Sequence, residues 1–250
     1  GVKNSCNPVF IEVGQRVGID KFKQYYKAFG FNDKTGFDLP GEANGVFYTD
    51  EQFKTVELAT ASFGQGPKVT PLQLISAVSA VANGGNLMKP HVVKELTNDE
   101  GTVVKKIEPT LVRQIVSEET SKTVRELLEN AVNVGSGQNA YIKGYRVAGK
   151  TGTSEKIPRG QGKYVASFLG FAPANDPKVA CLVVVDEPSL GSYYGGAVAA
   201  PVVGKILEDT LKYLGVEPQY TTEEKTTIDI SVPDVTGLEV SVAKKKLEDM

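Results

Sequence analysis

The chain has 250 residues, enough for one large domain or for about one and a half domains of ordinary size. An apolar content of 40% and a charged content of 23% are typical of a soluble globular protein, and a net charge of −2 gives no reason to expect nucleic-acid binding. No apolar run is long enough to span a bilayer, the start carries no secretory signal pattern, and two distant cysteines leave the redox compartment open.

The single histidine limits the catalytic options. His91 follows Lys89-Pro90 in a predicted connection between a helix and a strand, where a surface or structural role fits it best. A Ser-His-Asp hydrolase would need this residue as its base, whereas an enzyme with a lysine base needs no histidine.

The first part of the chain is predicted to be helical. In Ser5-Cys6-Asn7-Pro8, Asn7 is predicted to N-cap a helix in which proline takes the first position. A second helix is predicted over 20–29. The clearest helix is predicted over 58–85, where Thr70-Pro71-Leu72-Gln73 forms a capping box. A phosphate loop at 62–66 is excluded, because no strand precedes its glycines and no Lys-Ser/Thr follows them.

The second part is predicted to combine strands and helices. Residues 91–108 predict two short strands, and a helix follows at about 117–134. Short connections then favour three antiparallel strands, and the last of them is apolar on both faces, as in a covered central strand. A final helix at 195–214 completes an α+β fold, with a sheet between helices and a helical region in front. The three strands are 145–154, 164–172 and 178–187.

The first of these strands carries Lys150-Thr151-Gly152-Thr153. Side chains alternate along a strand, so Lys150 and Gly152 point to one face and Thr151 and Thr153 to the other. Because Gly152 has no side chain, an extended peptide can lie close to the strand there. A cation beside such an edge suits a peptide-like substrate with a carboxylate. A strand end with a solvated lysine is the alternative.

Two motifs together point to a family. Ser5-Cys6-Asn7 matches Ser-x-Asn and precedes Lys150-Thr151-Gly152, as in the penicillin-recognising serine enzymes. The segments 36–42 and 64–73 also resemble that family. The chain therefore resembles the transpeptidase domain of a class B penicillin-binding protein, in particular the sporulation branch, with vegetative septal members nearly as similar. The resemblance implies a penicillin-binding protein/serine β-lactamase-like fold, an antiparallel sheet between helices plus a helical subdomain.

The resemblance also implies roles for single residues. In this family a serine of Ser-x-x-Lys attacks the penultimate D-Ala carbonyl of a peptidoglycan stem peptide, and an amine of a neighbouring stem resolves the acyl-enzyme. Carried over by position, Ser5 relays a proton, Asn7 holds the substrate amide and orients the nucleophile's lysine, and Lys150 supports Ser5. The Thr153 N–H would form half of the oxyanion hole. The implied substrate-binding residues are Thr151, Gly152 and Thr153.

The family's nucleophile has no counterpart in this sequence. The only Ser-x-x-Lys match, Ser241-Val242-Ala243-Lys244, follows Lys150 and is interpreted as an N-cap with a surface charge. We therefore expect 1–215 to be the C-terminal part of a transpeptidase domain, 216–231 a linker and 232–250 a truncated PASTA module. The nucleophile, its lysine, further strands and a membrane anchor are expected outside the chain, with the protein on the extracytoplasmic face of the cell membrane.

The resemblance implies no required cofactor. Cys6 is interpreted as a small buried side chain, and zinc ligation is the alternative, which no Cys-x-x-Cys or His-x-x-x-His spacing supports. The implied partners are peptidoglycan stem peptides, β-lactam antibiotics, and cell-wall proteins of division or sporulation. Two other functions stay open: a non-catalytic β-lactam- or peptidoglycan-sensing domain of the same fold, and a serine β-lactamase, which should lack the PASTA tail.

Overall fold

The computed structural model describes residues 1–227 and 233–248, apart from the side chain of residue 248. Four helices come first, and strands and further helices follow in groups. In chain order they are α1 (Asn7–Val17), α2 (Ile19–Ala28), α3 (Thr55–Ser62), α4 (Pro71–Ala82), β1 (Asn86–Met88), β2 (Glu95–Thr97), β3 (Val103–Lys106), β4 (Leu111–Gln114), α5 (Glu118–Val134), β5 (Ala148–Glu155), β6 (Tyr164–Ala172), β7 (Val179–Asp186), α6 (Gly195–Val198), α7 (Ala200–Tyr213), α8 (Thr222–Lys225) and α9 (Val240–Glu248).

The helical region in front is held together by aromatic rings. Tyr26 stacks on Phe47 with ring centroids 4.2 Å apart, and Phe53 contacts Phe47 at 4.9 Å. The predicted N-cap is wrong by one residue: α1 begins at Asn7, and Cys6 holds the cap position without a side-chain hydrogen bond. Since Asn7 does not cap, its side chain is available to the cleft described below.

The predicted helix over 58–85 is wrong in its first half, because two helices occupy this region. Gly64 and Gly66 have φ angles of 89° and 101° between α3 and α4, a conformation that breaks a helix. The capping box itself is confirmed. Thr70 Oγ1 accepts from Gln73 N at 3.1 Å, and Gln73 Oε1 accepts from Thr70 N at 2.9 Å. The loop 63–70 is thereby fixed at the C-terminal side and lines the cleft.

Two small antiparallel hairpins follow α4. The predicted strands in 91–108 are confirmed as β2 and β3, which pair with each other. The outer pair, β1 with β4, was not predicted, because the hairpin of β2 and β3 separates its two strands in the sequence. Neither strand pair contributes lining residues to the cleft described below.

The main sheet has the order β5-β6-β7 and is antiparallel throughout. Phe168 packs with Val203 and Leu207 of α7 on one face, whereas Phe171 packs with Val78 of α4 and Leu128 of α5 on the other. The predicted sheet between helices is therefore confirmed. The sequence predicted that β7 is a central strand. Within the described residues it is an edge strand of the sheet, and Val184 on it is 43% exposed.

The segment after α7 folds back onto the sheet. Tyr145 Oη donates to Val216 O at 3.0 Å, and Gln219 N donates to Gly144 O at 2.7 Å. We call residues 216–227 the strap. The predicted linker thus packs against the domain over its described part, and 228–232 lie outside the described residues. The tail contains α9, whose start agrees with the predicted helix at Ser241, and its assignment to a PASTA module stays a prediction.

Among the described residues, no helix combines the length and the hydropathy that a bilayer span needs.

Candidate active site

The Ser-x-Asn loop lies directly before α1 and is a tight turn. Cys6 N donates to Gly1 O at 3.1 Å, and Ser5 N donates to Val2 O at 3.2 Å. Ser5 has a φ of 51°, in the left-handed region that residues with a side chain seldom adopt. Backbone strain of this kind concentrates at functional sites. The turn places the Ser5 hydroxyl beside β5.

Lys150 joins this loop to the sheet. Its Nζ donates to Ser5 Oγ at 2.7 Å and to Thr151 O at 3.0 Å. Ser5 and Lys150 are 145 positions apart in the sequence, so the predicted convergence of the two motifs is confirmed. Burial lowers the pKa of Lys150 from its ordinary value, because a charged amine is less stable away from water. Its ammonium group therefore releases a proton more readily than that of an exposed lysine.

The hydroxyls of Thr151 and Thr153 lie on the same side of β5. Gly195 N donates to Thr153 Oγ1 at 3.0 Å, so the hydroxyl proton of Thr153 stays free to donate to a ligand. Thr151 Oγ1 lies 3.4 Å from Lys150 Nζ and 3.5 Å from Ser136 Oγ. Three hydroxyl groups and one ammonium group thus lie close to one stretch of β5.

The sequence predicted that Gly152 leaves room for an extended peptide, but the neighbouring strand occupies that room. Gly152 is opposite Ser167 in the register of β5 with β6, and a Cβ at this position would come 2.5 Å from Ser167 Oγ. The glycine therefore leaves room for a side chain of the neighbouring strand. The start of α6 is also tight, since a Cβ on Gly195 would collide with Gly152 O and Ser167 O. Gly152 thus makes room for the Ser167 side chain, and Gly195 lets the start of α6 approach β5 and β6.

These groups line one cleft of about 1020 Å³. One wall is β5, and the other is formed by the Ser-x-Asn loop, the start of α1 and the loop 63–70. The two basic residues in its lining are Lys68 and Lys150, and none of the described lining residues is acidic. The predicted site residues that line the cleft are Ser5, Asn7, Lys150, Thr151, Gly152 and Thr153.

Ser136 and Tyr194 are two hydroxyl residues of the lining that the sequence analysis did not predict as site residues. Ser136 lies in the turn after α5, and Tyr194 lies just before α6. A hydroxyl residue between two glycines was the available signal for Ser136, because glycines permit close approach of another backbone. Nothing in the local sequence placed Tyr194 near β5, since 40 residues and two strands separate them.

Other predicted positions lie outside this arrangement. Cys6 is half-buried at the N-cap of α1, and no group of three or more potential metal ligands occurs within residues 1–227 and 233–248. Zinc ligation by Cys6 gains no support from its neighbours. Ser241 and Lys244 belong to α9 and do not line the cleft.

Comparison with known proteins gives a consistent result. The family model of the penicillin-binding protein transpeptidase domain matches residues 1–208. The chain is 47% identical to stage V sporulation protein D of Bacillus subtilis over 249 residues, 96% of this chain and 38% of that protein. It is 36% identical to peptidoglycan D,D-transpeptidase FtsI of Escherichia coli over 218 residues, 85% of this chain and 35% of that protein.

Solved structures agree with these sequence matches. Penicillin-binding protein 3 of Mycobacterium tuberculosis, complexed with ampicillin, has a TM-score of 0.81 and 29% identity, over 88% of this chain and 52% of that one. The apo transpeptidase domain of Burkholderia pseudomallei penicillin-binding protein 3 has a TM-score of 0.75 and 34% identity, over 86% and 63%. The chain spans 38% and 35% of the two curated relatives' lengths.

Proposed function

The chain belongs to the penicillin-binding protein transpeptidase domain family, and from this premise we propose that it forms the substrate cleft of a peptidoglycan D,D-transpeptidase. The observation that carries the proposal is the 2.7 Å hydrogen bond from Lys150 Nζ to Ser5 Oγ inside the cleft. It joins the two family motifs through a hydroxyl and an amine whose pKa is lowered by burial.

The substrate is a peptidoglycan stem peptide that ends in D-Ala-D-Ala. A serine hydroxyl attacks the penultimate carbonyl carbon, the C–N bond breaks, and the terminal D-Ala leaves as an amine. Ser5, held by Lys150, passes the proton to this leaving nitrogen, a general-acid step worth about 10²–10⁴ in rate. An amine of a neighbouring stem then attacks the acyl ester and returns the serine hydroxyl, which completes the cross-link.

The remaining cleft residues bind and orient the substrate. Asn7, whose side chain has no hydrogen bond to another described residue, donates to the substrate amide and orients the nucleophile's lysine. Thr151 and Thr153 donate to the terminal carboxylate, and Gly152 lets β5 and β6 pack closely. The Thr153 N–H stabilises the oxyanion, a contribution of about 3 kcal/mol for one donor in a well-studied protease. No step in this scheme uses a metal or an organic cofactor.

The attacking serine and its lysine are supplied by residues outside these 250. The only Ser-x-x-Lys of the chain, Ser241 to Lys244, does not line the cleft. The relatives are more than twice as long as the chain, which leaves ample sequence for a nucleophile and for a membrane anchor. We place the longer protein on the outer face of the cell membrane. The similarity to a stage V sporulation protein supports a partner among sporulation cell-wall proteins, with division cell-wall proteins as the alternative.

The test is covalent labelling by a fluorescent penicillin. The longer protein that carries this sequence should form an adduct, and the 250-residue chain alone should not. Ser5→Ala in the longer protein should slow labelling by about 10²-fold or more. Ser154→Ala, at a cleft hydroxyl outside the proposed machinery, is the matched control and should label normally.

Three outcomes would contradict the proposal. Labelling of the 250-residue chain would show that its nucleophile lies within it. A longer protein that binds penicillin only reversibly would favour a sensing domain of the same fold. Rapid hydrolysis of the adduct, without formation of cross-linked stem peptides, would favour a β-lactamase.

A further inference from the structure

We propose that Arg125 binds a carboxylate from the part of the longer protein outside these 250 residues, and that this ion pair anchors that part on the domain. The inference rests on one element of the proposed function, namely that residues outside the chain complete the cleft. Arg125 lies on α5 and lines a cavity of about 540 Å³ at the start of β7. This cavity shares no lining residue with the cleft, and the proposed mechanism does not use it.

The buried Nε of Arg125 has no acceptor within residues 1–227 and 233–248. Two acidic residues line the same cavity, but neither serves it. Asp176 forms an ion pair with Lys178 at 2.7 Å, and Glu118 is exposed about two helical turns before Arg125. An arginine keeps its charge at ordinary pH, and burial of a charged donor without an acceptor is costly. We therefore expect an acceptor from another part of the longer protein.

The position of Arg125 is fixed by contacts one helical turn away on either side. Ser121 Oγ donates to Val81 O at 2.5 Å, which ties α5 to α4. The carboxylate of Glu129 accepts from Arg146 at 2.6 Å, which ties α5 to the segment before β5. The guanidinium is therefore carried by a helix that is held in place at both of these turns.

An uncovered face of β7 connects the Arg125 cavity with the cleft. Side chains alternate along a strand, so Ala180, Leu182 and Val184 share one face of β7. Ala180 lines the Arg125 cavity, Leu182 lines both a second cavity of about 240 Å³ and the cleft, and Val184 lines the cleft. Phe171 lines both the first and the second cavity, so the two are neighbours. We call the face formed by residues 180, 182 and 184 the β7 groove.

The lining of the β7 groove indicates the chemistry of its occupant. The second cavity is lined mostly by apolar side chains, namely Leu74, Val78, Leu128, Leu169, Phe171 and Leu182. Apolar side chains are stabilised there by removal from water. At the other end, a guanidinium binds a carboxylate through two parallel hydrogen bonds. The groove therefore fits an element that is apolar over Leu182 and carries an Asp or Glu at Arg125.

The occupant is the segment that carries the nucleophile. The β7 groove ends in the cleft, where Leu182 and Val184 share the lining with Lys150, and the attacking serine has to reach this cleft. The curated relatives are more than twice as long as this chain, so they contain ample sequence for such a segment. The ion pair at Arg125 thus holds the far end of a segment whose near end supplies the serine.

Zero-length cross-linking identifies the partner of Arg125 directly. A carbodiimide joins a lysine amine to a carboxylate, with loss of water, only where the two groups are in contact. We expect Arg125→Lys in the longer protein to give a new cross-link between position 125 and an Asp or Glu outside these 250 residues. Lys122 is exposed on the same helix and is the internal control, which should give no such product. Mass spectrometry of the digested monomer locates both ends.

Urea unfolding of the longer protein tests the energetics, because the sign of the effect differs between the alternatives. Arg125→Met keeps most of the side-chain stem and removes the charge. A carboxylate left without its partner should lower the folding equilibrium constant about tenfold or more. A guanidinium without a partner predicts an unchanged or raised constant instead. Lys122→Met, which removes an exposed charge from the same helix, is the matched control and should leave the constant nearly unchanged.

Three results would overturn the assignment. They are a cross-link from position 125 only to Glu118, to Asp176 or to a second molecule, no new cross-link in folded Arg125→Lys, and an Arg125→Met protein as stable as the natural one. If Arg125→Lys does not fold, the methionine variant decides alone. Labelling by fluorescent penicillin separates this inference from the proposed function. A protein that is labelled but lacks the cross-link loses only the role of Arg125, whereas one that forms the cross-link without labelling loses the proposed function and keeps the docking contact.

Discussion

The carboxylate of Glu224 is expected to hold the strap on the domain. Glu224 is 9% exposed and accepts from Tyr141 Oη at 2.5 Å, Gly144 N at 2.9 Å and Thr221 N at 2.7 Å. The bonds from Tyr141 and Gly144 anchor Glu224 to the turn before β5, and the bond from Thr221 belongs to the N-cap of α8. Replacement of Glu224 by alanine removes both carboxylate oxygens, and with them all three hydrogen bonds, without adding volume.

The three hydrogen bonds give the size of the effect. The Gly144 N–H is buried and would lose its partner, which costs about 1–3 kcal/mol. The bonds from Tyr141, which is 44% exposed, and from Thr221 can be replaced by water, and each is worth about 0.5–1 kcal/mol. The strap should therefore be less stably docked by about 3 kcal/mol, which corresponds to a factor of about 100 in its opening equilibrium.

Amide hydrogen exchange measures this opening directly. Gln219 N donates to Gly144 O at 2.7 Å only while the strap is docked, so its exchange should become about 100-fold faster in Glu224→Ala. The control is Glu223→Ala, which alters an exposed carboxylate one residue away and should leave Gln219 unchanged. Unchanged exchange in Glu224→Ala would refute the reasoning.

The same carboxylate gives the strap a pH dependence. Burial raises the pKa of Glu224, but the hydrogen bonds from Tyr141, Thr221 and Gly144 together lower it below its ordinary value of 4.5. A carboxylate with a lowered pKa stabilises the folded state above its unfolded pKa and loses that contribution as the pH falls through its folded pKa. Protection of Gln219 should therefore decrease below pH 4.5 in the natural sequence. In Glu224→Gln it should stay flat over that range.

Two further predictions concern the scaffold of the cleft. Arg146 Nε and Nη2 each donate to the carboxylate of Glu129 at 2.6 Å, with the Glu129 side chain 12% exposed. Because Arg146 keeps access to water, Glu129→Gln should lower the free energy of unfolding by about 2 kcal/mol, and an unchanged urea midpoint would contradict this. Gly195→Ala should lower the free energy of unfolding by about 2 kcal/mol, because the added Cβ would collide with the Ser167 carbonyl oxygen. Thermal unfolding measures this, and an unaltered Tm would mean that α6 can move away from β6 at no cost.

Local sequence patterns predicted the presence of helices and strands better than the residues at which they begin and end. The capping box at Thr70 and Gln73 was readable because its residues are three apart in the sequence. The same Gln73 side chain also donates to Asp33 O at 2.8 Å, a contact over 40 positions that no local pattern encodes. The predicted helix over 58–85 ran through the break between α3 and α4, although Gly64, Gly66 and Pro67 interrupt the apolar pattern there.

The candidate site was predictable where family motifs carried it. The sequence placed Ser5 and Lys150 in one site through the resemblance, and their hydrogen bond agrees with that prediction. Ser136 was not predicted, because its approach to Thr151 depends on how α5 ends and how α6 packs on the turn. The strap was taken for a linker because its composition is polar, while it is docked by long-range contacts, among them those of the buried carboxylate of Glu224 and the hydrogen bond from Tyr145 Oη to Val216 O.

The wide sequence separation within the cleft has a consequence for folding. A contact across 145 positions, such as that of Ser5 with Lys150, adds a large loop-closure entropy and has no local precursor. The helices at the front can form early, whereas the cleft can form only after β5 has paired with β6 and docked on them. We expect synthesis or refolding to pass through a stage in which secondary structure is present and ligand recognition is absent. Formation of the contact between Ser5 and Lys150 therefore reports on completed packing of the two sides of the cleft.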